Sequence, residues 1–353
     1  MATLNQLVAK AKESVFFTAP VLERDLARFL KDEEQHIRRL ASEAVKKQVK
    51  HIYWVGSGNS WRNLYSGKYL LDKFTTISSD YFMSYELTWR QPRRLDGNAM
   101  AFFASFSGNT EDTINALRYA KSRGARTIAI VNQPDCLMGK EADEVIPFHS
   151  KALYILPLAA AYLFSLEVAR LQGAKEVQKT IDGLFALPPI LGRLYRDEEA
   201  RARELAHQYK DERLFYTLAS GPLFGLGYKF GLTVFMENMR VNGSFIETSE
   251  FRHGPAEMLD REQPTLVFLI GTDESRPISE RVVAFARQHG AKVITYDYAD
   301  YGVDDPLLAP FVLMVPLQWF AVYSVLLRGI EDLDARAFMG HGSMSQGKGV
   351  TWP

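Results

Sequence analysis

Short unbroken apolar runs alternate along this chain with longer stretches in which apolar residues recur at helical spacing. HIYWV from His51, AMAFFAS from Ala99 and TIAIV from Thr127 each read as a short buried strand. The first is followed by Gly-Ser-Gly-Asn-Ser and a helical pattern over Trp61 to Lys73, the second by FSGNTED and the helical TINALRYAKSRG. The rhythm then repeats. LFYTLAS at Leu214 leads into GPLFGLGYKFGLTVFMENM, TLVFLIG at Thr265 into TDESRPISERVVAFARQHG, and KVITYD at Lys292 follows. Strands alternating with helices predict βαβ units and mostly parallel sheets. The fold class expected is therefore α/β, with two tandem doubly wound parallel-sheet domains, each an αβα sandwich. VLERDLARFLKDEEQHIRRLASEAVKK sets apolar residues at helical spacing among alternating charges and predicts a long amphipathic helix ahead of them. The expected organisation is a helical segment over 1–45, a first domain over 46–190 and a second over 200–353. The join falls between Leu187 and Gln208, where a Pro-Pro pair precedes a charge run.

A length of 353 residues exceeds what one hydrophobic core usually supports and agrees with two domains. The 42 basic and 42 acidic residues balance, so no global field draws in nucleic acid or an anionic membrane, and any anion site must be built locally. ALYILPLAAAYLFSLEVARL from Ala152 stands out as the most apolar run. It holds Pro157, Ser165 and Glu167 and breaks at Arg170, which predicts a buried helix rather than a membrane span. A single cysteine, Cys136, excludes an internal disulfide framework and a cysteine-rich metal site. The opening MATLNQLVAKAKES lacks the apolar core of a signal peptide, so a cytoplasmic protein is expected.

Two loops sit where doubly wound sheets bind ligands, beyond the carboxyl ends of strands. GSGNS offers Gly58, Asn59 and Ser60, and SFSGNTEDT offers Ser105, Ser107, Asn109 and Thr110 just where a helix begins. A helix N-terminus with free N–H groups can hold a phosphate without a lysine. The same residue types are also the favoured helix caps, so one such loop alone decides little. Neither loop is followed by the Gly-Lys-Ser/Thr of a Walker loop.

Taken with SEFRHGP around His253, GSGNS and SFSGNTEDT resemble the sugar isomerase (SIS) domain family over nearly the whole chain. The sequence is similar to the isomerase half of glucosamine-6-phosphate synthase. Through ASGPLFGLGYKFGL and SEFRHGP it is more similar to the fructoselysine-6-phosphate and glucoselysine-6-phosphate deglycases, which act on glycated amino acids. The resemblance implies that Ser60, Ser105, Ser107 and Thr110 bind the sugar phosphate. Phe106 replaces a residue that is polar in the synthase, which removes one side-chain contact. The catalytic glutamate of the family corresponds to Glu237, sixteen residues before the loop histidine, His253. On the apolar stretch GLTVFMENM this carboxylate is expected to be desolvated, the condition that suits a general base. Gly254-Pro255 breaks the chain rigidly behind His253, whose imidazole can pass a proton between ring oxygen and hydroxyl. Relatives present this loop to the neighbouring subunit's site, which implies a homodimer with shared sites.

The resemblance implies a deglycase that opens the sugar ring, forms an enolamine and hydrolyses the resulting imine, with no metal or other cofactor. An aldose-ketose isomerase or deaminase of an amino-sugar phosphate would use the same residues, and a non-catalytic sugar-phosphate regulator would keep the fold. Neutral charge and the absence of a helix-turn-helix domain speak against the regulator. The glutaminase domain of the synthase is also missing, so nitrogen from glutamine is not expected as a reactant. Lys348 in the tail is a weaker counterpart of the synthase's Schiff-base lysine. Glu86, Glu247 and Glu250 are candidate partners for a substrate ammonium, although a surface or capping role suits each of them better.

Overall fold

A computed structural model describes residues 2–336. They divide into two compact units: Val21–Pro188, and the residues up to Pro20 joined with those from Pro189 onward.

In the first unit, β1 (His51–Gly56), β2 (Ser78–Met83), β3 (Ala99–Ser105), β4 (Arg126–Val131) and β5 (Glu144–Pro147) form one parallel sheet in the order β2-β1-β3-β4-β5. β1 and β3 are buried at every residue, as their continuous apolar runs predict. β2 and β5 are edge strands with partly exposed, polar residues and carry no such run. The chain order reverses between β1 and β3, which makes the crevice above these two strands the topological switch point of the sheet. The helical pattern expected over Trp61 to Lys73 resolves into two helices, Gly58–Arg62 and Tyr65–Phe74. The amphipathic Leu22–Lys46 helix packs its apolar stripe on Ile155–Leu171, which is buried almost throughout. Buried Glu167 pairs across these two helices with Arg38 and, at 2.6 Å within its own helix, with Arg170.

In the second unit, β6 (Leu214–Ala219), β7 (Asn242–Glu247), β8 (Thr265–Ile270) and β9 (Lys292–Asp297) are again parallel, in the order β7-β6-β8-β9. This repeats the first four positions of the other sheet. The most apolar helix lies here rather than at Ala152: Pro306–Leu327 has a mean hydropathy of 1.8 and is long and apolar enough to cross a membrane, yet 94% of that window is buried inside the protein. Pro316 inside the helix hides its helical character in the sequence. The N-terminal residues complete this unit. Phe17 is fully buried with its ring 4.6 Å from that of Trp319, and Gln318 Oε1 accepts hydrogen bonds from the Thr18 and Ala19 amides. Burying a side chain of this kind contributes about 2–3 kcal/mol.

Candidate active site

The two serine-rich loops lie side by side at the switch point of the first unit. Gly56 and Ala104 are register partners at the ends of β1 and β3, so the chain leaves both strands at the same level. A Cβ on Gly56 would come within 3.2 Å of the Ala104 carbonyl oxygen, so the close approach depends on the glycine. Ser57 Oγ donates to Asp112 and ties the two loops together.

The second loop is wound tightly around Gly108, whose φ of +64° is a left-handed conformation. Ser105 Oγ accepts from the Gly108 amide at 3.1 Å and lies 2.8 Å from Thr110 Oγ1. Ser107 Oγ accepts from the Asn109 amide. Thr110 is the N-cap residue of the Glu111–Ser122 helix, but its hydroxyl makes no capping hydrogen bond and faces Ser105 instead. The hydroxyl is therefore arranged for the loop interior rather than for the role that capping statistics suggest. Where the sequence suggested a loop, Gly58, Asn59 and Ser60 form the first turn of the short Gly58–Arg62 helix; Ser60 is buried, Gly58 is exposed, and Asn59 is partly exposed. The structure thus gathers Ser105, Ser107, Asn109 and Thr110 in one loop, beside the helix start that carries Gly58, Asn59 and Ser60. A strap that sequence reasoning missed holds the second loop from behind. The Met138 amide donates to Gly108 O at 3.0 Å and the Leu137 amide to Asn109 Oδ1 at 3.1 Å, while Cys136 packs against Gly108.

Glu237 and His253 belong to the second unit. Glu237 lies on a wide, π-type helix over Lys229–Asn238, where a regular helix was expected. Such widening is rare and is frequent at functional sites. This helix presses on β7 backbone to backbone: a Cβ on Gly231 would lie 2.4 Å from Ser244 O. The expectation of a desolvated carboxylate needs correction. Glu237 is partly exposed, and Arg336 Nε donates to its Oε1 at 2.8 Å. The apolar neighbours in sequence gave no sign of a partner 99 residues away.

His253 ends a short turn over Thr248–His253, anchored by the buried Phe251. Gly254 follows at φ +139°, a value that side-chain-bearing residues rarely adopt, and Pro255 opens the next turn. The ring is left exposed. Arg252 Nε donates to His253 Nε2 at 3.1 Å, so in the neutral ring Nδ1 carries the proton.

Of the acidic candidates, Glu247 caps this turn, accepting from Ser220 Oγ and from the Ser249 amide, and Glu86 pairs with Arg90 at 2.7 Å. Both have the structural roles favoured for them. Glu250 is exposed. Lys348 lies outside the described residues.

The SIS domain family profile matches residues 47–171. The chain is 32% identical to fructoselysine 6-phosphate deglycase of Escherichia coli K12 over 327 residues, spanning 92% of this chain and 96% of that protein. It is 31% identical to a fructosamine deglycase of Bacillus subtilis, spanning 78% of this chain and 87% of the other. A Bacillus subtilis crystal structure described as a phosphosugar isomerase superposes with a TM-score of 0.76 at 27% identity, covering 95% of this chain and 98% of its own.

Proposed function

This chain belongs to the SIS domain family, and from that membership we propose that it is a deglycase of 6-phosphorylated glycated amino acids. The observation that carries the proposal is the end-to-end match to fructoselysine 6-phosphate deglycase. In this reading the domain over 46–190 holds the substrate phosphate through Ser60, Ser105, Ser107 and Thr110, with Gly58, Asn59 and Asn109 shaping the two loops. The domain over 200–353 supplies the proton transfers. His253 moves a proton between ring oxygen and hydroxyl to open the sugar. Glu237 then takes a proton from C1 of the ketoamine and returns one to C2, through an enolamine, which leaves an imine at C1. Water adds to the imine carbon and the C–N bond breaks, so ketoamine and water yield a hexose 6-phosphate and a free amine.

The exposure of His253 and the rigid Gly254–Pro255 break support presentation of this loop to the site of a second copy in a cytoplasmic homodimer. Mixing an inactive Glu237→Gln chain with an inactive His253→Asn chain tests this, because shared sites regain activity in the mixed dimer. To test the chemistry, 6-phosphorylated fructosamines and glucosamines of several amino acids are incubated with the protein, and the sugar phosphates and amines released are identified. Glucose 6-phosphate with a free amino acid is the expected result. Fructose 6-phosphate and ammonia from unsubstituted glucosamine 6-phosphate, added to the panel, would indicate an amino-sugar-phosphate deaminase, and no amino acid from any member of the panel would overturn the deglycase assignment.

A further inference from the structure

We propose that Arg336 is a positioning residue for Glu237, and that the chain segment approaching it from Asp332 is built to hold it in place. The inference rests on the assignment of Glu237 as the base. Arg336 is deeply buried for a cation, with a side chain 7% exposed, and its guanidinium is divided between two tasks. Nε donates to Glu237 Oε1 at 2.8 Å, while Nη1 donates to the carbonyls of Leu333 at 2.7 Å and Ala335 at 3.1 Å. The two carbonyls belong to the segment that carries Arg336, so they fix the plane of the guanidinium before it meets the carboxylate. Among the described residues no other group bonds to Glu237, so one carboxylate oxygen is held and the other is left to move a proton.

The segment is itself anchored within the same unit. Asp334 accepts from Ser14 Oγ at 2.6 Å and from the amides of Val15 at 3.2 Å and Phe16 at 3.3 Å. Arg240, which follows the Glu237 helix, donates to Ala335 O at 2.9 Å. A surface ion pair would not need these four anchoring hydrogen bonds, because long charged side chains at a surface gain little from being fixed. A buried cation joined to one oxygen of a carboxylate, with the segment leading to it tied in place, suits the control of direction.

Misdirecting a proton-transfer group by about 1 Å costs on the order of a hundredfold in rate. The test is steady-state kinetics on fructoselysine 6-phosphate for Arg336→Met, Arg336→Lys and Glu237→Gln, with thermal unfolding of each. Arg336→Met is expected to lose roughly tenfold to a hundredfold in kcat with KM changed by no more than about threefold. Arg336→Lys keeps the charge but not the planar fork, so it should fold like the parent and still lose about tenfold in kcat. Methylguanidinium should restore part of the rate to Arg336→Ala, which a purely structural arginine would not allow. If Glu237→Gln abolishes turnover while both Arg336→Lys and Arg336→Met keep the full kcat, positioning by Arg336 is overturned and the base assignment stands. Full turnover in Glu237→Gln, or none in the unaltered chain, overturns the base assignment and this inference together.

Discussion

Replacing Gly108 by alanine tests whether the second serine-rich loop depends on its tight wrapping. Two separate costs can be worked out for it. The residue sits at φ +64°, and holding a side-chain-bearing residue in the left-handed region costs roughly 1–2 kcal/mol. The new Cβ would also lie 2.2 Å from Cys136 Sγ and 2.8 Å from Cys136 Cβ, where ordinary contact begins at 3.4 Å. Something must move by about 1 Å, and overpacking of this kind costs a further 1–3 kcal/mol or so. The total expected loss is about 2–5 kcal/mol in urea unfolding. The movement falls on Ser105 and Thr110, whose hydroxyls close on each other around this glycine, so affinity for glucose 6-phosphate measured by calorimetry should fall as well. Adding Cys136→Ala separates the two costs, because it removes the sulfur but leaves φ unchanged. The double variant should recover about 1–2 kcal/mol relative to the sum of the single changes. A Gly108→Ala protein that unfolds within about 0.5 kcal/mol of the parent and binds the sugar phosphate equally well would refute the reasoning.

Gly254→Ala separates conformation from contact at the other proposed site. No atom lies within 4 Å of the added Cβ, so the cost is the φ of +139° alone, about 1–3 kcal/mol by thermal unfolding, with a lower kcat as His253 is redirected. Glu167→Ala removes the carboxylate shared by Arg38 and Arg170. Because both arginines retain some access to water, the expected loss is about 2 kcal/mol in urea unfolding. His36 gives a pH signature: the hydrogen bond its ring donates to Glu33, opposed by burial and reinforced by Glu144, raises its pKa above the ordinary 6.5. A raised folded value means that this stabilisation is fully present below about pH 6.5 and is lost as pH rises through the folded value, so His36→Gln should flatten the stability profile between about pH 6.5 and the folded value.

The central strands were legible because both faces are buried and nothing interrupts their apolar runs, as in HIYWV and TLVFLI. The edge strands SSDYFM, EVIP and NGSFIE were not, since a strand with one free edge and mixed exposure keeps polar residues that resemble a loop. The Ala309–Leu327 helix escaped notice because the internal Pro316 argues against a helix in any local reading. At the candidate site the glycine turns could be read from their residue types and their place after buried strands, because unusual backbone angles demand particular residues, whereas a role for their serines came only from the resemblance. The partner of Glu237 could not. Arg336 stands in DARAF, near the Lys348 that drew attention, and only the folded chain brings its guanidinium to the carboxylate. The wide winding of the Glu237 helix was equally silent, since GLTVFMEN fits an ordinary helix until Gly231 is pressed against β7.

The deglycase assignment is most directly tested by supplying fructoselysine 6-phosphate to the purified chain and measuring glucose 6-phosphate and lysine as they appear. Equimolar release of both is predicted, together with its loss in Glu237→Gln while that variant still binds glucose 6-phosphate. Failure of the unaltered chain to release lysine, or release at the parent rate by Glu237→Gln, would contradict it.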